Sequence, residues 1–369
     1  DLVSHIKAKY ILLSYNNMAT KGNDRSNAKI SDADIMRILS RKGRVKVFSE
    51  SYRAFSAGKS NITGNEERLF LCECYDYKQK EIIQSPLNYT GGKYKLLPQI
   101  LPHFPQDIDR FVDLFCGGGN VGINVPCNRV VFNDNNELLR YMFGTFKNLD
   151  KQVTFETIDA IIEKYGLSNT EKYGYDFYGC NSAEGLAAYN SSRYLKLRDD
   201  FNHHTNLEYN YYVTLYVLIV YAFNNQIRFN RKGEFNLPVG KRDFNKKMRE
   251  KLSTFIDRLK SGDYSFASHD FRELPTDDWN ESTFVYADPP YLITCATYNE
   301  QDGWNETLEK ELLTYLDNLN ERGIRFALSN VLHSKGKENK ILLDWIDRNV
   351  DRYRVIYLEY NYANSNYQT

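Results

Sequence analysis

The chain has 369 residues, 42% hydrophobic and 26% charged, with 48 basic and 48 acidic side chains. That length and balance suit one large or two modest soluble domains and argue against a uniformly basic nucleic-acid binder, although a local basic face stays open. No apolar run reaches the roughly 18 residues of a membrane span, and the opening DLVSHIKAKY lacks the apolar core of a signal peptide.

The first residue is Asp1 rather than Met, so a processed or cut chain is expected. KYILLSYNN (9–17) reads as a strand and ISDADIMRILSRKG (30–43) as a helix, with Ser31 or Asp32 as its cap and Gly43 ending it. RVKVFSESY (44–52) and ERLFLCECY (67–75) read as two more strands. Three strands and one helix bury too little surface to stand alone, so residues 1–76 are expected to pack on something else. Residues 77–84 read as a linker.

From residue 85 strands and helices alternate. RFVDLFC (110–116), RVVFNDN (129–135), FVYADPPY (284–291), IRFALSN (324–330) and RVIYLEYNY (354–362) are apolar runs that end in polar, turn-forming residues. Buried strands separated by helical stretches predict an α/β fold with a parallel sheet. In NETLEKELLTYLDNLNERG, Leu308, Leu312, Leu316 and Leu319 share one helix face and Gly323 closes it. Residues 150–262 break the rhythm and read as a helical insertion, a second, smaller domain. The six cysteines, Cys72, Cys74, Cys116, Cys127, Cys180 and Cys295, have no spacing that completes a metal site and read as reduced thiols.

Ligands of open α/β sheets collect at the carboxyl ends of the strands, where the unusual residues lie. In DLFCGGGNVG (113–122) a strand runs into Gly117, Gly118 and Gly119, and a helix is expected next; glycines allow a sharp turn and close backbone approach. The lack of Gly-Lys-Ser/Thr disfavours a P-loop. The next strand ends at Asp134, an acceptor suited to a ribose diol, so the two together predict a nucleoside-containing cofactor. In DPPY, the Asp288 carboxylate and the Pro289 carbonyl are two acceptors, neither Pro289 nor Pro290 has a competing N–H, and Tyr291 brings a ring face. That set suits an exocyclic amine on a flat heterocycle; the plainer reading is a Pro-Pro turn capping a strand.

NYTGGKYKLLPQI, DLFCGGGNVG, FNDNN, FNRKGEFNLPVGK, ASHDF and YADPPY stand in the order of the Dam-like, α-type DNA adenine-N6 methyltransferases, and residues 85–367 resemble that family. The resemblance implies a Rossmann-like S-adenosylmethionine-dependent methyltransferase sheet over 85–149 and 263–369, with a target-recognition, DNA-binding insertion over 150–262. It implies cofactor contacts by Tyr89, Gly91, Lys93, Asp113, Phe115, Gly117, Gly119, Asp134, Asp270, Phe271 and Asp288. Asp288, Pro289, Pro290 and Tyr291 match the catalytic motif. Thr90 stands between Tyr89 and the Gly-Gly-Lys, where the family often has an aromatic. In the hairpin-like stretch Arg228, Asn230, Arg231, Lys232, Asn236, Lys241 and Arg242 are the DNA-binding candidates, a solvated charged loop being the plainer reading.

The expected activity is methylation of a flipped adenine in a short duplex DNA site, with S-adenosylhomocysteine as product, no metal, and a cytoplasmic, nucleoid-associated setting of bacterial or phage type. Residues 1–76 resemble the C-terminal end of another methyltransferase domain. They are expected to be the remnant of a tandem restriction-modification enzyme working beside a cognate endonuclease, or else to complete the main sheet, an unrelated accessory cap being the plainer alternative. Two further readings keep different functions open: the same chemistry on an RNA adenine, a DNA cytosine amine or a protein glutamine amide, and a catalytically inactive sequence-specific DNA reader.

Overall fold

The computed structural model describes residues 10–16, 30–40, 42–51, 66–74, 82–89, 91–203, 208–294 and 303–359, with residues 3, 6 and 8 before them. Lys9, Asn17, Tyr52, Tyr75, the expected linker as far as residue 81, Thr90, Cys295 and 360–369 lie outside the described residues. The chain divides into two compact units, Asp1–Glu81 and Ile82–Thr369.

In the first unit, strands β1 (Tyr10–Asn16), β2 (Gly43–Ser51) and β3 (Glu66–Cys74) form their own antiparallel sheet in the order β1-β3-β2. Among the described residues these three strands pair with one another. Helix α1 (Asp32–Ser40) starts at Ser31, whose hydroxyl accepts from the Asp34 N–H at 3.1 Å. It buries Ile35 and Leu39 against Phe70, Cys72 and Cys74. Gly43 does not cap this helix. It opens β2 opposite Cys74, where a Cβ would lie 2.2 Å from the Glu73 carbonyl oxygen.

The second unit is built on a five-stranded parallel sheet. Its strands are β4 (Arg110–Asp113), β5 (Arg129–Asn133), β6 (Asp263–Ala267), β7 (Thr283–Ala287) and β8 (Arg325–Leu328), ordered β6-β5-β4-β7-β8. Side chains alternate between faces, and both faces are covered, which explains the near-continuous apolar runs. Phe111, Val130, Phe132, Tyr264, Phe284 and Tyr286 enter one core; Val112, Leu114, Val285 and Ala287 enter the other. Strand β6 was not anticipated, because its sequence DYSFA alternates at an edge instead of forming an apolar run. The expected strand over 354–362 is corrected over 354–359, residues 360–362 lying outside the described residues. Residues 354–359 join no ladder and are mostly exposed, held instead through Gln99, whose side-chain amide donates to the Glu359 carbonyl at 2.8 Å and accepts its N–H at 2.9 Å.

Helices α2 (Glu137–Asn148), α3 (Lys151–Tyr165), α4 (Ala187–Asn202), α5 (Tyr209–Tyr221) and α6 (Lys246–Ser261) share the first core with the sheet. Helix α5 is buried nearly all round, which fits its apolar run YVLIVY. On the other face α7 (Glu306–Glu321) buries Leu312, Leu316 and Leu319 and ends with Gly323 in the left-handed region, φ 76°. Helix α8 (Lys340–Arg348) packs Leu342 and Trp345 beside it. Among the described residues no helix is long and apolar enough to cross a membrane. The helix expected after the glycine turn is only a single 3-10 turn, Gly122–Asn124. Pro126 forces Val125 into extended backbone and stops it there.

Candidate active site

Strand order reverses on either side of β4, so the carboxyl ends of β4, β5 and β7 open onto one crevice. Asp113 is the last residue of β4, Asp134 follows β5 and Asp288 follows β7. The glycine turn then brings backbone donors to the first two. Gly122 N–H donates to Asp113 Oδ2 at 2.9 Å, while Asp134 accepts from Gly117 N–H at 2.9 Å and Asn136 N–H at 3.0 Å.

Tyr89 is seated over this turn by Asn120 and Asn124, two amides that are not among the predicted site residues. Asn124 accepts from the Ile83 N–H and donates to the Ile83 carbonyl, both at 2.8 Å, and Asn120 accepts from the Ser85 N–H at 3.0 Å. The segment that leads to Tyr89 is thereby tied to the loop that Tyr89 covers. Gly117 sits at φ 47°, and a Cβ there would fall 2.7 Å from the Tyr89 ring, so the glycine makes room for the ring itself. Gly91, with φ 78°, faces open space, and Gly119, with φ 73°, packs its backbone on Phe132 and Phe255.

Asp113 and Asp134 are buried and Asp288 half-buried, and Asp113 feels the charges of the other two. Burial pushes Asp113 up to about 7, with Asp288 and Asp134 adding to the rise. Asp134 and Asp288 are raised by burial too. The nearby Asp134 charge, then burial, moves the Tyr89 hydroxyl far upward, so Tyr89 acts as a neutral ring. An acid raised in the folded state holds its proton where the unfolded chain has lost it. Its contribution to stability is therefore complete below the ordinary carboxylate value and declines as pH rises towards 7. Asp113→Asn is expected to flatten the fall in unfolding free energy between roughly pH 4.5 and 7.5, as read by denaturant titration at each pH. An unchanged slope would show that Asp113 is already ionised in the native protein.

Lys93 supplies the countercharge. It is 6% exposed, and its Nζ lies 2.5 Å from Asp288 Oδ2 and 2.8 Å from the Gly91 carbonyl. The Tyr291 hydroxyl donates to the other oxygen, Asp288 Oδ1, at 2.9 Å. The Lys93 ammonium also lies 5.1 Å from the Tyr291 ring centre. Pro289 is buried and Pro290 exposed. The cofactor segment and the DPPY motif, 195 residues apart in the chain, thus meet through one ion pair.

Asp270 and Phe271 part company. The Asp270 carboxylate is forked onto Arg272 at 2.7 and 2.9 Å, which holds it below the usual carboxylate range. Phe271 is buried against Phe115 at 5.7 Å and Trp304 at 6.1 Å between ring centres. Trp304, missed in the sequence, stands edge-on to Phe115 at 5.6 Å. Its indole N–H donates to Glu309, a fully buried carboxylate that also accepts from the Asn330 and Asn339 amides at 2.9 and 2.8 Å. A lone Trp before a helix cap carries no periodic signal, so only the fold reveals the pairing.

The candidate DNA-binding residues form a hairpin rooted in an Ala222–Val239 bridge and continued by a Phe229–Phe235 bridge. Several of them are occupied within it. Arg228 donates from Nε to the Asn236 side chain at 2.8 Å, and Asn230 builds the turn by accepting from the Lys232 and Glu234 N–H groups. Arg231 and Lys232 stand exposed at the tip; Lys241 and Arg242 are exposed beyond the root. At the root, Asn224 and Asn225 both have positive φ, 55° and 53°, and the Asn224 carbonyl accepts from Asn88 at 2.8 Å.

Residues 89–364 match the family model for the D12 class N6 adenine-specific DNA methyltransferases. The chain is 36% identical to the modification methylase StsI of Streptococcus sanguinis, over 100% of this chain and 55% of that protein. It is 38% identical to the type II methyltransferase M.FokI of Planomicrobium okeanokoites, over 79% of this chain and 42% of that protein. It is 28% identical to the DNA adenine methylase of Escherichia coli strain K12, over 66% of this chain and 79% of that protein. The chain spans about half the length of the first two relatives.

Proposed function

The chain belongs to the D12 class N6 adenine-specific DNA methyltransferases, and from that premise we propose that it methylates the exocyclic amine of an adenine flipped out of a short duplex DNA site, with S-adenosylmethionine as donor. The observation that carries this reading is the meeting of Asp113, Asp134 and Asp288 with Lys93 and Tyr89 at the carboxyl ends of three neighbouring strands. Asp113 and Asp134 are buried and Asp288 is half-buried beside Lys93; burial disfavours their ionised form, and a cationic donor would favour it, so the crevice suits a cation. Asp134 would hold the ribose hydroxyls, Tyr89 and Lys93 would cover the donor, and Phe115 and Phe271 would flank its purine. When bound, S-adenosylmethionine supplies a methyl group on a positively charged sulfur, so no metal or protein nucleophile is called for.

The protein's task is to make the amine nucleophilic. The adenine amine is weak because its lone pair is shared with the ring. Asp288 and the Pro289 carbonyl would accept hydrogen bonds from its two N–H groups and hold the nitrogen in a more tetrahedral shape, freeing the lone pair to bond the methyl carbon as the methyl–sulfur bond breaks, after which the methylated nitrogen releases one proton to solvent. Lys93 must yield or share Asp288 Oδ2 for this to happen, while the Tyr291 hydroxyl keeps Oδ1 in place. Stacking on Tyr291 offsets part of the few kcal/mol needed to unstack the base. S-adenosylhomocysteine is the remaining product.

Duplex DNA incubated with labelled donor and digested to nucleosides is expected to yield label in N6-methyladenine. Label in cytosine, or in RNA but not in duplex DNA, would overturn the assignment. Gly117→Ala is expected to weaken donor binding about tenfold, because the Tyr89 ring must move by more than a bond's tolerance; calorimetry reads this directly. The resemblance of residues 1–76 to the end of another methyltransferase domain, with relatives about twice as long, supports a tandem enzyme of a restriction-modification system with a partner endonuclease. The intact mass of the protein from its native source tests the tandem form.

A further inference from the structure

Tyr194, Arg198 and Asn202 recur every four residues and form one stripe along α4. All three bind the main chain of Phe235–Leu237, the distal strand of the hairpin. The Tyr194 hydroxyl and Arg198 Nη1 donate to the Leu237 carbonyl at 3.1 and 2.9 Å. Asn202 makes a two-point contact: its Nδ2 donates to the Phe235 carbonyl at 3.1 Å and its Oδ1 accepts the Phe235 N–H at 2.8 Å. An extended residue turns its own N–H and C=O to the same side, so a primary amide takes the place of a missing neighbouring strand. Asn236, between the two gripped residues, is turned towards Arg228 on the other strand.

We propose that this stripe is a set of positioning residues for DNA recognition, holding the hairpin at a fixed depth so that its exposed tip, Arg231 and Lys232, meets the duplex in register. The proposal rests on the reading of the hairpin as the DNA-contacting element. Its independent support is that the same amide grip recurs on segments that belong to no ladder and yet serve the crevice. Asn124 grips Ile83 below Tyr89, and Asn133 grips His269 at 3.0 Å on both sides, one residue before Asp270. A cavity of about 470 Å³, lined by Arg198, Asn202, His203 and Glu234, adjoins the junction, while the Phe235 and Leu237 side chains are buried in the core, so bonds and packing together secure that strand of the hairpin.

Asn202→Leu leaves the Phe235 peptide unpaired at similar side-chain size; Arg198→Met removes the guanidinium, and Arg198→Lys keeps a donor. Steady-state methylation of a mixed-sequence duplex DNA that the unaltered chain modifies, with donor affinity by calorimetry and thermal unfolding alongside, reads their effects. Asn202→Leu is expected to raise the KM for DNA about tenfold, with kcat and donor affinity held, because a small displacement of the reading element costs register without touching the chemistry. Arg198→Met is expected to move the same way and Arg198→Lys to restore the KM. The double change Arg231→Ala with Lys232→Ala serves as reference: it is expected to raise the KM and flatten its salt dependence. If the tip variant has this effect while folded Asn202→Leu and Arg198→Met keep the DNA KM, the positioning role falls alone. If the tip variant also has none, the hairpin reading falls and takes the proposal with it. A fall in kcat or donor affinity in step with KM, with Arg198→Lys giving no rescue, marks a merely structural contact and likewise overturns it.

Discussion

Asp288→Ala is expected to cut methyl transfer by roughly a hundred- to a thousandfold or more, with DNA affinity largely kept. Asp288 is positioned by three independent constraints. The buried strand β7 delivers it, Pro289 stops the ladder behind it, and Lys93 and the Tyr291 hydroxyl each take one of its oxygens. An acceptor held this firmly keeps its place when the amine arrives, so that the change asked of the site is the release or sharing of Oδ2 by Lys93, and its expected contribution to the rate lies in that preorganisation. Alanine also leaves the buried Lys93 ammonium without its countercharge, with the Gly91 carbonyl and the Tyr291 ring still beside it, so the fold itself is stressed. Asp288→Asn is the companion variant: it keeps one acceptor oxygen and similar volume, and is expected to bind DNA and fold normally while transferring slowly. Single-turnover rates, DNA anisotropy and thermal unfolding separate these effects. Near-normal transfer by a folded Asp288→Ala protein would remove Asp288 from the chemistry.

Lys93→Met is the second large effect. Its charge lowers the Asp288 value against the upward push of burial, by proximity first and hydrogen bonding second. Without Lys93 the carboxyl rises further, so a larger share is protonated at any given pH. A protonated Asp288 offers a poorer acceptor to the amine, so the acid limb of the single-turnover rate is expected to shift to higher pH. The sign for stability follows: an acid raised above its unfolded value loses its stabilising contribution as pH rises, so the variant should unfold more readily at pH 8 than at pH 5, by a wider margin than the unaltered chain. Breaking a buried pair costs about 3–5 kcal/mol when the orphaned charge remains; proton uptake by Asp288 reduces that at low pH. An acid limb that stays in place would show that Lys93 does not govern Asp288.

Strand β4, the glycine turn, Asp134, strand β7 and the DPPY tip were readable from residue type and order because each is a local event. An apolar run ends, a turn follows, and a carboxylate stands at the end. Helix α7 was readable for the same reason, through leucines on one face and a closing glycine. Strand β6 and the unpaired 354–359 were not, since an edge strand has a weak pattern and an apolar run such as RVIYL does not record whether a neighbouring strand exists to accept it.

The sequence by itself determined the parallel α/β class, the family and the short stretches proposed to carry the chemistry, because turns, buried strands and tip residues are written in contiguous residues. Only the tertiary structure decided who partners whom. Lys93 reaches Asp288 across 195 residues, Trp304 closes on Phe115 and Phe271 through the buried Glu309, and Asn202 holds Phe235 in the hairpin. These are hydrogen bonds and ring contacts between residues distant in the chain, and their energies depend on a separation in space that no local spacing encodes.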